Sequence, residues 1–276
     1  MGTIGYICPV CGNELERVQN SYVCPKRHSF DIARKGYVNL LTTSGRDPSK
    51  AGDDADMVRA RTDFLDIGHY ERLADAVADT VGRWSSSGSA VIDSGCGEGY
   101  YTVRYAQQLT DREIYGIDIS KRAVAHCMTR AHAAGASNCE FAVASSYALP
   151  FPDHCADVIV STFAPVVDKE YARVIKEGGA LVVVSPSPRH LYELKAELYE
   201  HPYENSPNSY GLDSFTEADS QTVEYTSELR SQKEIADLFM MTPYYYKTPK
   251  EGIERLKKLD RLALTCGFVI QVFTRK

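Results

Sequence analysis

Ala90-Val91-Ile92-Asp93-Ser94-Gly95-Cys96-Gly97-Glu98-Gly99-Tyr100-Tyr101-Thr102 is the stretch that decides the fold. It opens with three apolar residues and an acid, the pattern of a short buried strand. Three glycines at alternate positions follow, and the residues from Tyr100 to about Leu109 read as a helix. Strand, glycine turn and helix together let a ligand approach bare backbone, while the helix N-terminus favours electron-rich groups. A dinucleotide loop has the spacing G-x-G-x-x-G; here the third glycine comes one residue early and position 100 is Tyr.

Working outward, strands alternate with helices. Strands are expected at Glu113 to Asp118, Cys139 to Val143, Asp157 to Thr162 and Ala180 to Ser185. Between them fall a helix from Ser120 to Ala134, with Ser120 as its cap, and a short helix ending at Gly178-Gly179. Strands separated by helices imply an α/β fold with a parallel, doubly wound, Rossmann-like sheet. A helix from Arg189 to Tyr199 follows, the pattern then loosens, and the chain closes with a helix at about Glu251 to Leu264 and a strand from Phe268 to Thr274. Upstream, helices are expected over about Asp54 to Asp66 and Tyr70 to Trp84, where Leu73, Val77, Val81 and Trp84 recur at helical spacing.

The N-terminus is organised differently. Cys8, Cys11, Cys24 and His28 form C-x2-C-x12-C-x3-H, while the other five cysteines are scattered singly. Four such ligands in two short-spaced pairs suit a closed, tetrahedral and therefore structural zinc site. The segment from Val18 to Val23 reads as a hairpin with Asn20-Ser21 at its tip. A segment this short builds no core without a staple, which argues against coincidental cysteines in a small apolar subdomain. Residues 42 to 56, TTSGRDPSKAGDDAD, lack apolar periodicity and read as a linker. The expected organisation is a zinc module over 1–41, a linker over 42–56 and a body over 57–276.

Composition narrows the function classes. The chain has 276 residues, 43% hydrophobic and 25% charged, with a net charge of −6. These values fit an ordinary globular chain and exclude a uniformly basic nucleic-acid binder. Residues 17 to 50 nevertheless carry seven basic side chains (Arg17, Lys26, Arg27, Arg34, Lys35, Arg46, Lys50) against Asp31 and Asp47. Residues 1 to 50 together hold +3 and the remainder −9. A basic zinc module on an acidic body suggests phosphate contact at one end, although a solvated basic face is the plainer alternative. Cysteine placement favours a reducing cytosol. The longest apolar run, around Ala180 to Val184, is far too short to span a membrane, and Met1-Gly2-Thr3-Ile4 opens no secretory signal.

The glycine loop together with Asp118, in YGIDIS, and the later Leu149-Pro150-Phe151 resembles the class I S-adenosylmethionine-dependent methyltransferases. In that resemblance Asp118 accepts hydrogen bonds from two ribose hydroxyls. Ser94 and Ser145 depart from the usual pattern, which leaves the adenine contact open. Adding the zinc pattern, HSFDIARKGYVNLL (28–41), RARTDFLDIGHY (59–70), SPRHL (187–191) and Met241-Thr242-Pro243, nearly the whole chain resembles the bacterial 23S rRNA (guanine-N1)-methyltransferases. The resemblance implies a zinc-ribbon RNA-recognition domain on a methyltransferase body, a homodimer in the cytoplasm, and a guanine in a 23S rRNA hairpin as target. It implies zinc ligation by Cys8, Cys11, Cys24 and His28. Donor contacts are expected at Tyr70, Asp93, Gly95, Gly97, Glu98, Gly99, Tyr100, Tyr101, Asp118 and His190. Taken alone, His190 reads equally as a surface residue opening a helix, and Tyr70 as a helix-start anchor.

Guanine N1 carries a proton that must be lost or shared for it to become nucleophilic. Asp168 and His190, each just beyond a strand end, are the candidate proton acceptors. Ser161-Thr162-Phe163-Ala164-Pro165 stands where an Asn-Pro-Pro-Tyr motif for exocyclic amines would be, and no cysteine sits suitably for C5 chemistry. An extruded base needs aromatic stacking. Phe163 or Tyr244-Tyr245-Tyr246 could supply it, the latter reading equally as a core strand. A small-molecule, quinone-type methyltransferase and an RNA-binding protein with a vestigial donor pocket are the alternatives.

Overall fold

The structure, a computed structural model, describes residues 4–42, 55–207 and 209–276. The expected linker therefore lies largely outside the described residues, as do Arg46, Asp47 and Lys50.

At the N-terminus, β1 (Glu16–Val18), β2 (Ser21–Val23) and β3 (Ser29–Asp31) form a three-stranded antiparallel sheet. The β1–β2 register pairs Val18 with Ser21, so Gln19-Asn20 makes the turn, one residue earlier than expected, with Gln19 at φ 53°. The chain then adds β4 (Val38–Asn39) to the main sheet, parallel to β7 (Cys139–Val143). Tyr6 is buried against Tyr115 and Phe151. The cysteine-bearing segment thus shares both a sheet and a core with the body.

Two helices follow, α1 (Ala55–Asp66) and α2 (Glu71–Arg83), and then the alternating unit. It runs β5 (Ala90–Ser94), α3 (Tyr100–Gln108), β6 (Glu113–Asp118), α4 (Lys121–Ala133), β7, β8 (Ala156–Thr162), α5 (Asp168–Val174) and β9 (Ile175–Pro186). Ser120 caps α4, its Oγ accepting from the Ala123 amide at 3.4 Å. The last elements are α6 (Tyr192–Leu198), β10 (Phe215–Leu229), α7 (Gln232–Met240), α8 (Lys250–Leu256) and β11 (Leu262–Arg275). The sheet order is β10-β11-β9-β8-β5-β6-β7-β4. Strands β4 to β9 run parallel, and β10 and β11 are antiparallel additions. Because β6 lies on one side of β5 and β8 on the other, the winding reverses at β5, and a crevice opens beyond the carboxyl ends of these strands.

Three expectations need correction. Gly178-Gly179 does not end a helix: α5 stops at Val174, and β9 takes the glycines into a strand of 12 residues. A side chain at Gly179 would run into Ile175 and the Asp157 carbonyl, so close strand approach explains that glycine. The expected helix from Glu251 to Leu264 ends at Leu256, because Leu262 to Leu264 pair with Leu229 to Ser227 in a strand. The loosened region holds β10, 15 residues long, and α7, whose Ser231 Oγ accepts from the Glu234 amide at 3.2 Å.

Gly116 on β6 marks close packing in the central sheet: a Cβ there would collide with the buried Phe141 ring and sit 3.2 Å from Cys96 Sγ. Gly116→Ala is expected to cost about 1–3 kcal/mol of stability through overpacking. A urea titration reads this as a lower midpoint; an unchanged midpoint would mean that the β6–β7 face is looser than its contacts indicate.

Candidate active site

The crevice is a cavity of about 1030 Å3 between the strand ends and a wall made of α1 and the turn after α7. Gly95, Gly97 and Gly99 take φ of 86°, 56° and 89°, where a Cβ is strained, and this is how the sequence turns β5 into α3 within one tight loop. The Gly95 and Cys96 amides both donate to the Ile117 carbonyl, at 2.7 and 3.0 Å. Asp118 completes the tie, accepting from the Gly97 amide at 2.9 Å and the Ser120 amide at 2.7 Å. Two amides fix its orientation, and each carboxylate oxygen keeps further acceptor capacity.

Of the residues expected to contact a donor, Tyr70, Gly95, Gly97, Glu98, Tyr100, Tyr101, Asp118 and His190 line this cavity. Gly99 and Asp93 are not among the lining residues. Gly99 lies against Cys127, and Asp93 is buried behind the loop with its Oδ2 accepting from Thr102 Oγ1 at 2.6 Å. Its Oδ1 has no hydrogen-bond partner among the described residues, and burial pushes the carboxyl up to about 7. Glu98 Oε2 accepts from Arg130 Nε and Nη2, at 2.9 and 2.6 Å, while its buried Oε1 is unpartnered among the described residues. Burial holds that carboxyl above its ordinary range, partly offset by the Arg130 charge.

His190 is not the surface residue its helix-opening position allowed. It is buried, with Nε2 3.5 Å from the Tyr70 hydroxyl and Nδ1 unpartnered among the described residues. Burial, reinforced by the charge of Lys195, pushes its pKa down to about 3, so the imidazole is neutral at physiological pH. Asp168 is not among the residues lining the cavity, and it accepts from the Ser214 amide and hydroxyl at 3.2 and 3.0 Å. Its carboxylate thereby caps the turn at Ser214.

Ser94 has a structural account. Its hydroxyl lies 2.9 Å from Ser146 Oγ and 3.0 Å from the Tyr171 hydroxyl, linking β5 to the rim that Ser145, Ser146 and Tyr147 form. On the opposite side, Phe163 stands in the left-handed region at φ 54° and is 46% exposed. Tyr244 to Tyr246 form a turn, not a core strand; Tyr244 and Tyr246 line the cavity and Tyr246 is 69% exposed. Sequence reasoning missed Met57, Arg61 and Leu65, which line the cavity from α1. Their spacing of four was the available signal.

At the N-terminus the Sγ atoms of Cys8, Cys11 and Cys24 and a ring nitrogen of His28 all lie within 4.8 Å of one another. The Cys11–Cys24 sulfur separation is 3.7 Å, and His28 Nδ1 is 3.4 Å from both Cys8 and Cys24 Sγ. Tetrahedral zinc with bonds of about 2.3 Å to sulfur requires edges of about 3.7 Å, so the donor set fits that ion. The Asn13 side chain donates to Cys11 Sγ at 3.2 Å and is the main reason its thiol is held down at about 6.

A reversing parallel sheet, a three-glycine loop after its first central strand and an acid closing the next define a class I methyltransferase. A methyltransferase domain model matches residues 85–239, and a model described as RlmA, N-terminal, a zinc ribbon, matches residues 6–45. The 23S rRNA (guanine(748)-N(1))-methyltransferase of Streptomyces fradiae is 39% identical over 68% of this chain and 65% of its own length, so the match spans just under two thirds of that enzyme. A Micromonospora griseorubida protein, provisionally named a 23S rRNA (guanine-N1)-methyltransferase, is 35% identical over 87% of this chain and 86% of its own. The YcgJ protein of Bacillus subtilis shares the fold, with a TM-score of 0.50 and 17% identity over 74% of this chain and 98% of its own. The chain belongs to the 23S rRNA (guanine-N1)-methyltransferase family.

Asp93 carries a testable consequence. Its proton is bound more tightly in the folded chain than in the unfolded one, where an aspartate titrates near 4. Its contribution to stability is therefore lost as pH rises from about 4 to about 7, by up to about 1.4 kcal/mol per pH unit. Asp93→Asn is expected to be flatter than wild type across that window in chemical denaturation; parallel curves would place the charged carboxylate in a well-solvated setting.

Proposed function

We propose that this chain transfers a methyl group from S-adenosylmethionine to N1 of one guanine in a 23S rRNA hairpin. The observation that carries the proposal is the pairing of a zinc ribbon with a methyltransferase body in one family member. The quinone-type alternative has no use for the ribbon.

The cavity fits the donor. Asp118 presents acceptor oxygens for ribose hydroxyls, the glycine loop offers bare backbone, and Glu98 Oε1 is a buried acceptor suited to an ammonium. When bound, the donor supplies an electrophilic methyl on a sulfonium, and the protein's part is mainly alignment. Tyr70, Tyr101 and His190 close the pocket around it, joined in the reading by Gly95, Gly97 and Tyr100. On the acceptor side, Phe163 and the Tyr244–Tyr246 turn supply apolar faces for an extruded base. His190 is the proton acceptor in this reading. Charging a buried imidazole is costly in the resting site, but a proton taken as positive charge leaves the donor sulfur keeps the total charge of the pocket constant.

Arg17, Lys26, Arg27, Arg34 and Lys35 supply positive charge on the zinc-bearing segment for RNA phosphates, so residues 1–41 serve as the RNA-recognition unit. A homodimer acting in the cytoplasm, where ribosomal RNA is found, completes the reading. Among the described residues no helix is long and apolar enough to cross a membrane.

Incubation with labelled S-adenosylmethionine and unmodified 23S rRNA, followed by primer extension, tests the reaction. Methylation at N1 blocks the Watson–Crick edge and should stop the polymerase at a single guanine. Label without a stop, or no label in RNA, would contradict it. Replacing both Cys8 and Cys11 with Ser should release zinc and reduce RNA methylation by at least about tenfold while donor binding changes little. Equal loss of both would make the ribbon a support for the whole fold instead.

A further inference from the structure

The donor carries three charged groups, a sulfonium, an α-ammonium and an α-carboxylate, and the residues singled out by the family resemblance leave the carboxylate without a cation. Asp118 and Glu98 are anionic when ionised and repel it, and His190 is neutral. Among the described residues lining the cavity, Arg61 is the one lysine or arginine. It sits on α1 between Met57 and Leu65, four residues from each, so that the three form a single stripe of the helix along the cavity wall. Two apolar neighbours on that stripe make the arginine an exception within an apolar face. Arg59, two residues earlier, is not among the lining residues and meets Asp56 in solvent, both side chains being more than two-thirds exposed.

The guanidinium reaches the glycine loop itself. A Cβ built on Gly97 would lie 3.8 Å from Arg61 Nη1, which is the nearest heavy atom to that point outside the loop. Gly97 is the middle glycine, with its amide committed to Asp118. The bare face of the loop and the guanidinium thus bound the same small volume of the cavity. A planar fork of N–H donors matches a carboxylate in two parallel hydrogen bonds, which a point charge does not.

We propose that Arg61 binds the α-carboxylate of the methyl donor and so sets the donor's depth over the glycine loop. This rests on the methyltransferase reading above. The same guanidinium chemistry would suit an RNA phosphate, but its place beside Gly97 on the glycine loop favours the carboxylate. Glu98 Oε1 and Arg61 then sort the two ends of the donor's amino-acid moiety by charge, and a donor lacking either group loses one anchor.

Isothermal titration of the full-length protein with S-adenosylmethionine and with decarboxylated S-adenosylmethionine tests this without turnover. Wild type should bind the decarboxylated donor about tenfold or more weakly. Arg61→Met should weaken the intact donor by about the same factor and leave the decarboxylated one unchanged or slightly tighter, with Arg61→Lys between. Thermal midpoints of the variants report whether α1 still packs. Equal weakening of both donors by Arg61→Met would overturn the assignment in favour of helix packing. Unchanged affinity for both, with a higher KM for RNA, would overturn it in favour of a phosphate contact. Wild-type protein that binds neither donor would defeat the methyltransferase reading itself.

Discussion

Two backbone amides on one carbonyl, Gly95 and Cys96 on Ile117, pin the glycine loop to the end of the neighbouring strand, and Asp118 clasps the next amide from the same strand. The cavity depends on this tie. It holds β5 and β6 in register at their carboxyl ends, leaves residues 95–98 lining the cavity, and orients the acid that closes β6. Because the winding reverses at β5, the tie also places the loops after β8 and β9 on the opposite bank. Phe163 and His190 therefore face the glycine loop although they are far from it in sequence. The contact between Gly95 and Ala164, which leaves no room for a side chain at Gly95, joins the two banks directly.

Charge is distributed along the same architecture. The strongly acidic body keeps its cavity-facing carboxylates engaged: Asp118 by amides, Glu98 by Arg130, with Arg130 tied onward to Asp66 at 2.6 Å. Such a cavity accommodates a cationic donor while its neutral histidine adds no repulsion. The cysteine-bearing segment carries the opposite sign, yet it is not held at arm's length: β4 extends the sheet beyond β7, and Tyr6 packs into the core beneath it. A basic surface on a segment fused to the sheet can fix an RNA relative to the cavity more firmly than a tethered module could.

Most of the central sheet was legible because its signals are local. Apolar runs bounded by glycine and polar turns located β5 to β8, and Ser120 announced the start of α4. The four metal-type ligands were equally plain, since their spacing alone defines a closed site. The failures have physical causes. Strand β10 is written mostly in Thr, Ser, Gln and Glu because one of its faces is exposed, so it lacks the apolar run that marks a buried strand. Helix α7 carried a legible Ser231-x-x-Glu234 signal that was overlooked, and β9 hid behind a glycine pair that ordinarily ends a helix. The contact between Asp168 and Ser214, 46 residues apart, is equally invisible to sequence position. Arg61 lies within the RARTDFLDIGHY segment, but only the folded helix shows that its face meets the cavity.

Amide hydrogen exchange with and without S-adenosylmethionine tests the central claim most directly, that the donor seats on the loop pinned to Ile117 and Asp118. Exchange should slow at residues 95–101 and 118–123 while residues 16–24 of the ribbon stay unchanged. Protection confined to the ribbon or to β10, or none at the loop under saturating donor, would contradict the account.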